Sequence, residues 1–147
     1  SPSTGATHED VDHLASHLKG IDEQLTNLIA NANTGVTWAL TGARNTNGGS
    51  DRDMANGGVL TNVTPYIIPY NCVLVKVVGS TAVNETWEAH VLKNNVSVTT
   101  LFISAASSQV SPELNISFVQ GDEVRLRQVN GTGSINRPRI TAFFKRV

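Results

Sequence analysis

Four histidines, one cysteine, a cluster of basic side chains and one oxygen-rich loop are the groups in this 147-residue chain with the capacity for chemistry. His13 and His17 stand four apart, the spacing at which two side chains share a helix face, with His8 about a turn earlier. Two imidazoles on one face are part of a zinc set. On the heptad frame described below, however, His13 falls at position c and His17 at g, outside the seam. Symmetry copies at those positions spread around the outside of a bundle and do not converge on one ion, so a solvated helix face is the better reading. His90 stands alone on an alternating strand, opposite Trp87 and Val91, and reads as a surface or subunit-contact residue. Residues 45–53 (NTNGGSDRD) are rich in oxygen ligands, as a calcium loop is. They lack the spacing of a known calcium loop, and Arg52 competes for the carboxylates, so a flexible loop is the expectation. No metal and no other cofactor is expected.

Catalysis finds no foothold in the pattern. There is no Gly-x-Ser-x-Gly, no phosphate-cradling glycine loop and no His-Glu-x-x-His. Glu85 and Glu88 fall on a turn and a strand, with no acid–base partner at a useful spacing, and the chain is read as not an enzyme. Cys72 is single, which rules out a disulfide within one chain, and its setting in Tyr70-Asn71-Cys72-Val73-Leu74-Val75 marks it as a small buried hydrophobe. The basic residues Arg125, Arg127, Arg137, Arg139, Lys145 and Arg146 crowd the last quarter. If strands at 123–129 and 138–147 pair, Arg125, Arg127, Arg137 and Arg139 form one surface patch suited to acidic glycans or an acidic capsid surface. Otherwise they are the solvent-facing positions of alternating strands. Five Asn-x-Ser/Thr sequons, at Asn62, Asn84, Asn95, Asn115 and Asn130, arise easily in so Asn-, Ser- and Thr-rich a chain and are read as composition.

The element that must position the N-terminal residues is an apolar clock: Val11, Leu14, Leu18, Ile21, Leu25, Leu28 and Ala32. Its alternating spacing of three and four is the a/d pattern of a coiled-coil seam. A stripe this narrow buries itself most readily against copies of itself. Leu18 and Leu25 at a with Ile21 at d, and Ile29 widening the apolar face, favour three helices over two. The spacing predicts a helix from about His8 to Ala32, roughly 37 Å long. Thr7 is placed to cap it, with Glu9 and Asp10 in the first turn favoured by the helix dipole. Gly20 is its weak position, and Asn31, Asn33 and Gly35 stop it.

After the helix the period changes to two. Residues 36–40 read as a first strand, and 41–58 as the least structured stretch. Strands are expected at 66–78 (interrupted by Pro69), 86–93, 96–103, 113–119, 123–129 and 138–147. Within 86–93, Trp87, Ala89 and Val91 share a face. Turns are expected at Asn94-Asn95, Ser107-Ser108, Gln120-Gly121-Asp122 and residues 130–133. About eight strands is the count of a double-sheet jelly roll. The expected fold class is therefore mainly β, an N-terminal trimeric coiled-coil helix followed by a jelly-roll β-sandwich. The domains are a flexible arm at 1–7, a coiled-coil stalk at 8–33, a linker with first strand and loop at 34–58, and a jelly-roll head at 59–147.

Charged residues make up 16% of the chain, below the roughly 25% of an average soluble domain. Residues 1–33 stand at −4, and residues 34–147 at +3. Neither value argues for nucleic acid or a membrane surface. The sequence as given shows no secretory-leader pattern and no apolar run near the roughly 20 residues of a membrane span. It opens Ser1-Pro2 with Met54 as its one methionine, so either an initiator was removed or the chain was cut from something longer. A chain complete at this length favours a capsid protein over a tail fibre, which needs a long shaft.

Three stretches carry a resemblance: Pro69-Tyr70-Asn71-Cys72-Val73-Leu74, then Glu85-Thr86-Trp87-Glu88-Ala89, then Phe118-Val119-Gln120-Gly121-Asp122-Glu123-Val124-Arg125-Leu126. In that order, with Phe143-Phe144 in the final strand, residues 60–147 resemble the trimeric C1q/tumour-necrosis-factor-like jelly roll. The whole layout, a short helical stalk before a small β head, more closely resembles bacteriophage head-fibre and capsid decoration proteins. That resemblance implies a homotrimer on the capsid surface of a virion, partnered by itself and a viral capsid protein, with no catalytic residues. Two other readings are a receptor-binding tip of a phage tail fibre recognising a host surface glycan, and a secreted C1q/tumour-necrosis-factor-like ligand.

Overall fold

A computed structural model describes residues 7–33, 35–44, 52–53, 55–56, 64–130 and 134–147. The chain divides into two compact units, residues up to Val36 and residues from Thr37 onward. Among its described residues the first holds one helix, α1 (His8–Asn33). Its start is a reciprocal cap: the Asp10 backbone N–H donates to Thr7 Oγ1 at 3.2 Å, and the Thr7 N–H donates to Asp10 Oδ2 at 3.1 Å. Those contacts hold the Asp10 carboxyl below its usual range, the Thr7 backbone N–H first and its hydroxyl second.

Among the described residues every strand pairing of the second unit is antiparallel. Its strands are β1 (Thr37–Ala43), β2 (Arg52–Asp53), β3 (Ala55–Asn56), β4 (Tyr66–Ile67), β5 (Cys72–Lys93), β6 (Val96–Val110), β7 (Ile116–Phe118), β8 (Glu123–Asn130) and β9 (Arg139–Arg146). The organising strand is β5. It pairs with β9 through residues 72–80 and with β8 through residues 87–93, while β6 and β7 pair with it as well. Beyond β9 lie β1 and then β3, and beyond β8 lie β2 and β4. The sheet curls around one core, so that Trp38 of β1 comes within 5.6 Å of Tyr66 of β4, ring centre to ring centre.

Alternation builds that core. Trp87, Ala89 and Val91 all point inward, as the sequence pattern predicts, and meet Val124 and Leu126 of β8. From the other half of the sheet come Leu40, Leu74, Val77, Ile140, Ala142 and Phe144, all buried. Phe144 stacks on Trp38 at 4.6 Å and meets Phe118 edge-on at 5.3 Å. Gly79 leaves no room for a side chain. A Cβ there would lie 2.8 Å from Ile103 Cδ1 and 3.3 Å from the Trp87 ring.

Three local expectations are corrected. Residues 79–85 do not separate two strands, because β5 runs through them with a register shift against β6 between Ser80 and Glu85. Ser107-Ser108 is not a turn: Ser108 pairs with Ser80 on the same long ribbon, and the bend comes instead near Ala105, at φ 48°. The stretch 41–58 is not uniformly irregular either, since β1 reaches Ala43 and residues 52–53 and 55–56 add short ladders. The turns at Asn94-Asn95 and Gly121 form where expected, each with positive φ. The expected turn at 130–133 lies mostly outside the described residues.

Candidate functional site

On α1 the predicted seam residues share one face and remain open. Val11, Leu14, Leu18, Ile21, Leu25 and Leu28 are 48–65% exposed, and Ile29 beside them is 56% exposed. The side chain of Ala32 lies outside the described residues. A soluble helix keeps a continuous apolar stripe only where something else covers it. His13 and His17 flank a groove on this helix with Ser16, Gly20, Ile21 and Gln24. Among the described residues, no group of three or more His, Cys, Asp or Glu side chains is placed to hold a metal ion.

The four arginines of the expected patch fall at two separate places. The pairing of 123–129 with 138–147, the condition for one patch, does not form, because β8 and β9 pair with opposite ends of β5. Arg125 and Arg127 sit two apart on the outer face of β8 and grip the same carboxylate. Arg127 Nε donates to Asp53 Oδ1 at 2.8 Å, and Arg125 Nη1 donates to Asp53 Oδ2 at 3.3 Å. Asp53 is thereby an arginine ligand, and its side chain is largely covered. Of the oxygen-rich loop, residues 45–51 lie outside the described residues. Arg125 Nε also donates to Asn95 Oδ1 at 3.1 Å. Arg146 stacks its guanidinium 4.3 Å from the Tyr70 ring centre, leaving Lys145 on the exposed side of β9.

Arg137 and Arg139 line a different feature, a cavity of about 320 Å³ bounded by Ala43, Arg44, Arg137 and Arg139. Arg44 follows the inward alternation of Trp38, Leu40 and Gly42 and is only 8% exposed. Its backbone N–H donates to Pro138 O at 3.0 Å, which ties the end of β1 to the entry of β9. Arg137 takes φ 51°, in the left-handed region. The parity of β1 was the one sequence signal that pointed Arg44 inward.

Other candidate groups are held structurally. His90 Nδ1 lies 2.9 Å from Ser97 Oγ and 3.3 Å from Thr100 Oγ1, while Nε2 lies 3.8 Å from Glu88 Oε1. Glu85 and Glu88 are both on β5 and opposite β6. Cys72 is fully buried, and desolvation first, with the Asp122 charge second, pushes its thiol up to about 11. The Gly121-Asp122 pair ties three segments together. Asp122 Oδ2 accepts from the Val119 N–H at 2.9 Å and Oδ1 from Asn94 Nδ2 at 3.1 Å. The Ile68 N–H donates to Asp122 O, and Asn94 Oδ1 accepts from the Glu123 N–H. These hydrogen bonds, the Val119 backbone first, hold the Asp122 carboxyl below its usual range.

No protein-family model matches this chain, and no curated protein sequence is similar to it. A solved chain titled "Cyanophage Pam1 capsid asymmetric unit" aligns with 78% of this chain and 87% of its own length, at 12% identity and a TM-score of 0.42. That overlap is too loose to assign a common fold. The geometry of the chain itself carries the functional reading.

Proposed function

We propose that this chain is a virion structural protein acting as a homotrimer. In this reading it is a capsid decoration protein or head fibre, held to the viral capsid protein through its N-terminal segment and displaying a jelly-roll β head. The observation that supports it is the uncovered seam from Val11 to Leu28, spaced three and four and about half exposed throughout. Three parallel copies bury such a stripe as a coiled coil, and Leu at a with Ile at d favours more than two strands. Three heptads alone make a marginal bundle, so the β heads associate as well. In this reading assembly is the activity.

The arginine-lined cavity favours a second reading, in which the β unit is the receptor-binding tip of a tail fibre that recognises a host surface glycan. One experiment separates the two. Gold-labelled antibody against residues 37–147 is applied to intact particles and viewed by electron microscopy. Label over the capsid supports the decoration or head-fibre role, label confined to the tail supports the tip, and unlabelled particles overturn both.

A further inference from the structure

We propose that the end of the β unit at which β1 begins is the surface through which the β heads of three copies meet, centred on Val119 and Val147 with Ile67 beside them. The proposal rests on the homotrimer reading and names the surface that carries it beyond α1. Val119 and Val147 are 55% and 60% exposed, and Ile67 is 52% exposed. A lone exposed aliphatic side chain is ordinary, whereas a group of them marks a contact surface. Hydrogen bonds group these three. The Val147 N–H donates to Asn71 O at 3.2 Å, and the Gln120 N–H donates to Asn71 Oδ1 at 3.0 Å. Cys72 pairs with Phe118 on one side and Arg146 on the other, so Val119 and Val147 stand one step beyond, on either side of Asn71. The Gly121 N–H donates to Ile68 O at 2.9 Å, which brings the segment carrying Ile67 against the same turn. Asp122 Oδ2 holds the Val119 N–H at 2.9 Å, so the surface is formed before any partner arrives and loses little freedom when covered.

What covers this end follows from where the chain enters it. Thr37, the first residue of β1, faces Lys145, two residues before Val147. Residues 34–36 alone separate Thr37 from Asn33, the last residue of α1, a span of at most about 14 Å. Helices packed side by side lie about 8–10 Å apart. A trimer joined along α1 therefore holds its three copies of Thr37 within roughly 40 Å of one another, whatever the angle between helix and β unit. The opposite end of this sheet half, where Gly79 faces Ile140 and Gln109, lies seven residues farther along β5, roughly 23 Å away. A short tether gives one copy's surface an effective concentration in the millimolar range at the next, so modest apolar contacts suffice to hold it. The partner that the covalent chain delivers to Val119 and Val147 is thus a second copy of the same chain.

The test compares the full chain with Val119→Lys and with Gln109→Lys, both exposed positions, in a dilution series by analytical ultracentrifugation. Val119→Lys removes apolar contact and sets three like charges together, so it should raise the trimer dissociation constant by at least about tenfold. Gln109→Lys, at the far end, should leave it unchanged. A second measurement does not depend on disturbing the surface. Nitroxide labels on Gln120→Cys, at its rim, and separately on Gln109→Cys report distances between copies by pulsed electron paramagnetic resonance, and the native Cys72 is buried away from the label. The Gln120 labels should lie closer together than the Gln109 labels, and adding Val119→Lys should lengthen and broaden their distances. A trimeric mass with an unchanged dissociation constant in Val119→Lys, or with Gln120 labels no closer than the Gln109 labels, overturns this surface and leaves the homotrimer reading standing. A mass of one chain at every concentration overturns both.

Discussion

Truncating Leu18 to alanine measures how much of the assembly energy the seam holds. Leu18 is 57% exposed in the single chain. Complete burial of a leucine contributes about 1.5–3 kcal/mol, so covering its exposed share contributes roughly 1–1.5 kcal/mol per chain. In the proposed trimer the three copies would meet in one layer of the bundle, so Leu18→Ala should cost about 3 kcal/mol per trimer. That corresponds to a rise of roughly a hundredfold to a thousandfold in the dissociation constant. The assay is a dilution series by analytical ultracentrifugation, with helical ellipticity followed in parallel. Ser16→Ala, at heptad position f on the exposed side, is the matched control and should leave assembly unchanged. Leu18→Asp combined with Leu25→Asp should abolish assembly. If Leu18→Ala dissociated at the wild-type concentration with its helicity intact, Leu18 would lie in no interface and the seam reasoning would be wrong.

In the β unit, Gly79→Ala forces a methyl group to within 2.8 Å of Ile103 Cδ1. It should cost about 1–3 kcal/mol and lower Tm by several degrees in calorimetry, and Ile103→Val, which removes that atom, should restore part of the loss. The Asp122 carboxyl is depressed below its ordinary 3.8 in the folded chain. Its contribution is therefore complete above the unfolded value and is lost as pH falls through the folded one. Thermal melts from about pH 5 down to pH 2 should fall more steeply for wild type than for Asp122→Asn. Equal slopes would show that the turn contacts leave the carboxyl unperturbed. The Cys72 thiol, buried and raised to about 11, should resist iodoacetamide at neutral pH and react only on unfolding, as intact mass spectrometry would report.

Local signals were legible in the sequence, and long-range pairing was not. The helix, its Thr7 cap, the inward face of Trp87, Ala89 and Val91, and the Asn94-Asn95 turn all depend on neighbours a few residues apart. The continuity of β5 through residues 79–85 was hidden because Gly-Ser-Thr-Ala-Val-Asn-Glu has the composition of a turn. What holds it extended is pairing to residues far along the chain, Gly79 with Ile140 and with Gln109. The arginines were misgrouped for the same reason. Nothing in their spacing says that β8 and β9 join opposite ends of one strand, so proximity in sequence was taken for proximity in space. Asp53 was hidden in an oxygen-rich loop, and its role emerges only once residues 52–53 pair with β8. Arg44 was missed because β1 was expected to end at residue 40, three residues short of its end at Ala43.

The central claim is that the chain works as a homotrimer, and the native mass of the full chain in solution tests it most directly. Light scattering coupled to size exclusion, at concentrations well above the dissociation range, should return three times the 15.7 kDa of one chain. A mass equal to one chain at every concentration would contradict the account and leave the open face of α1 without a partner.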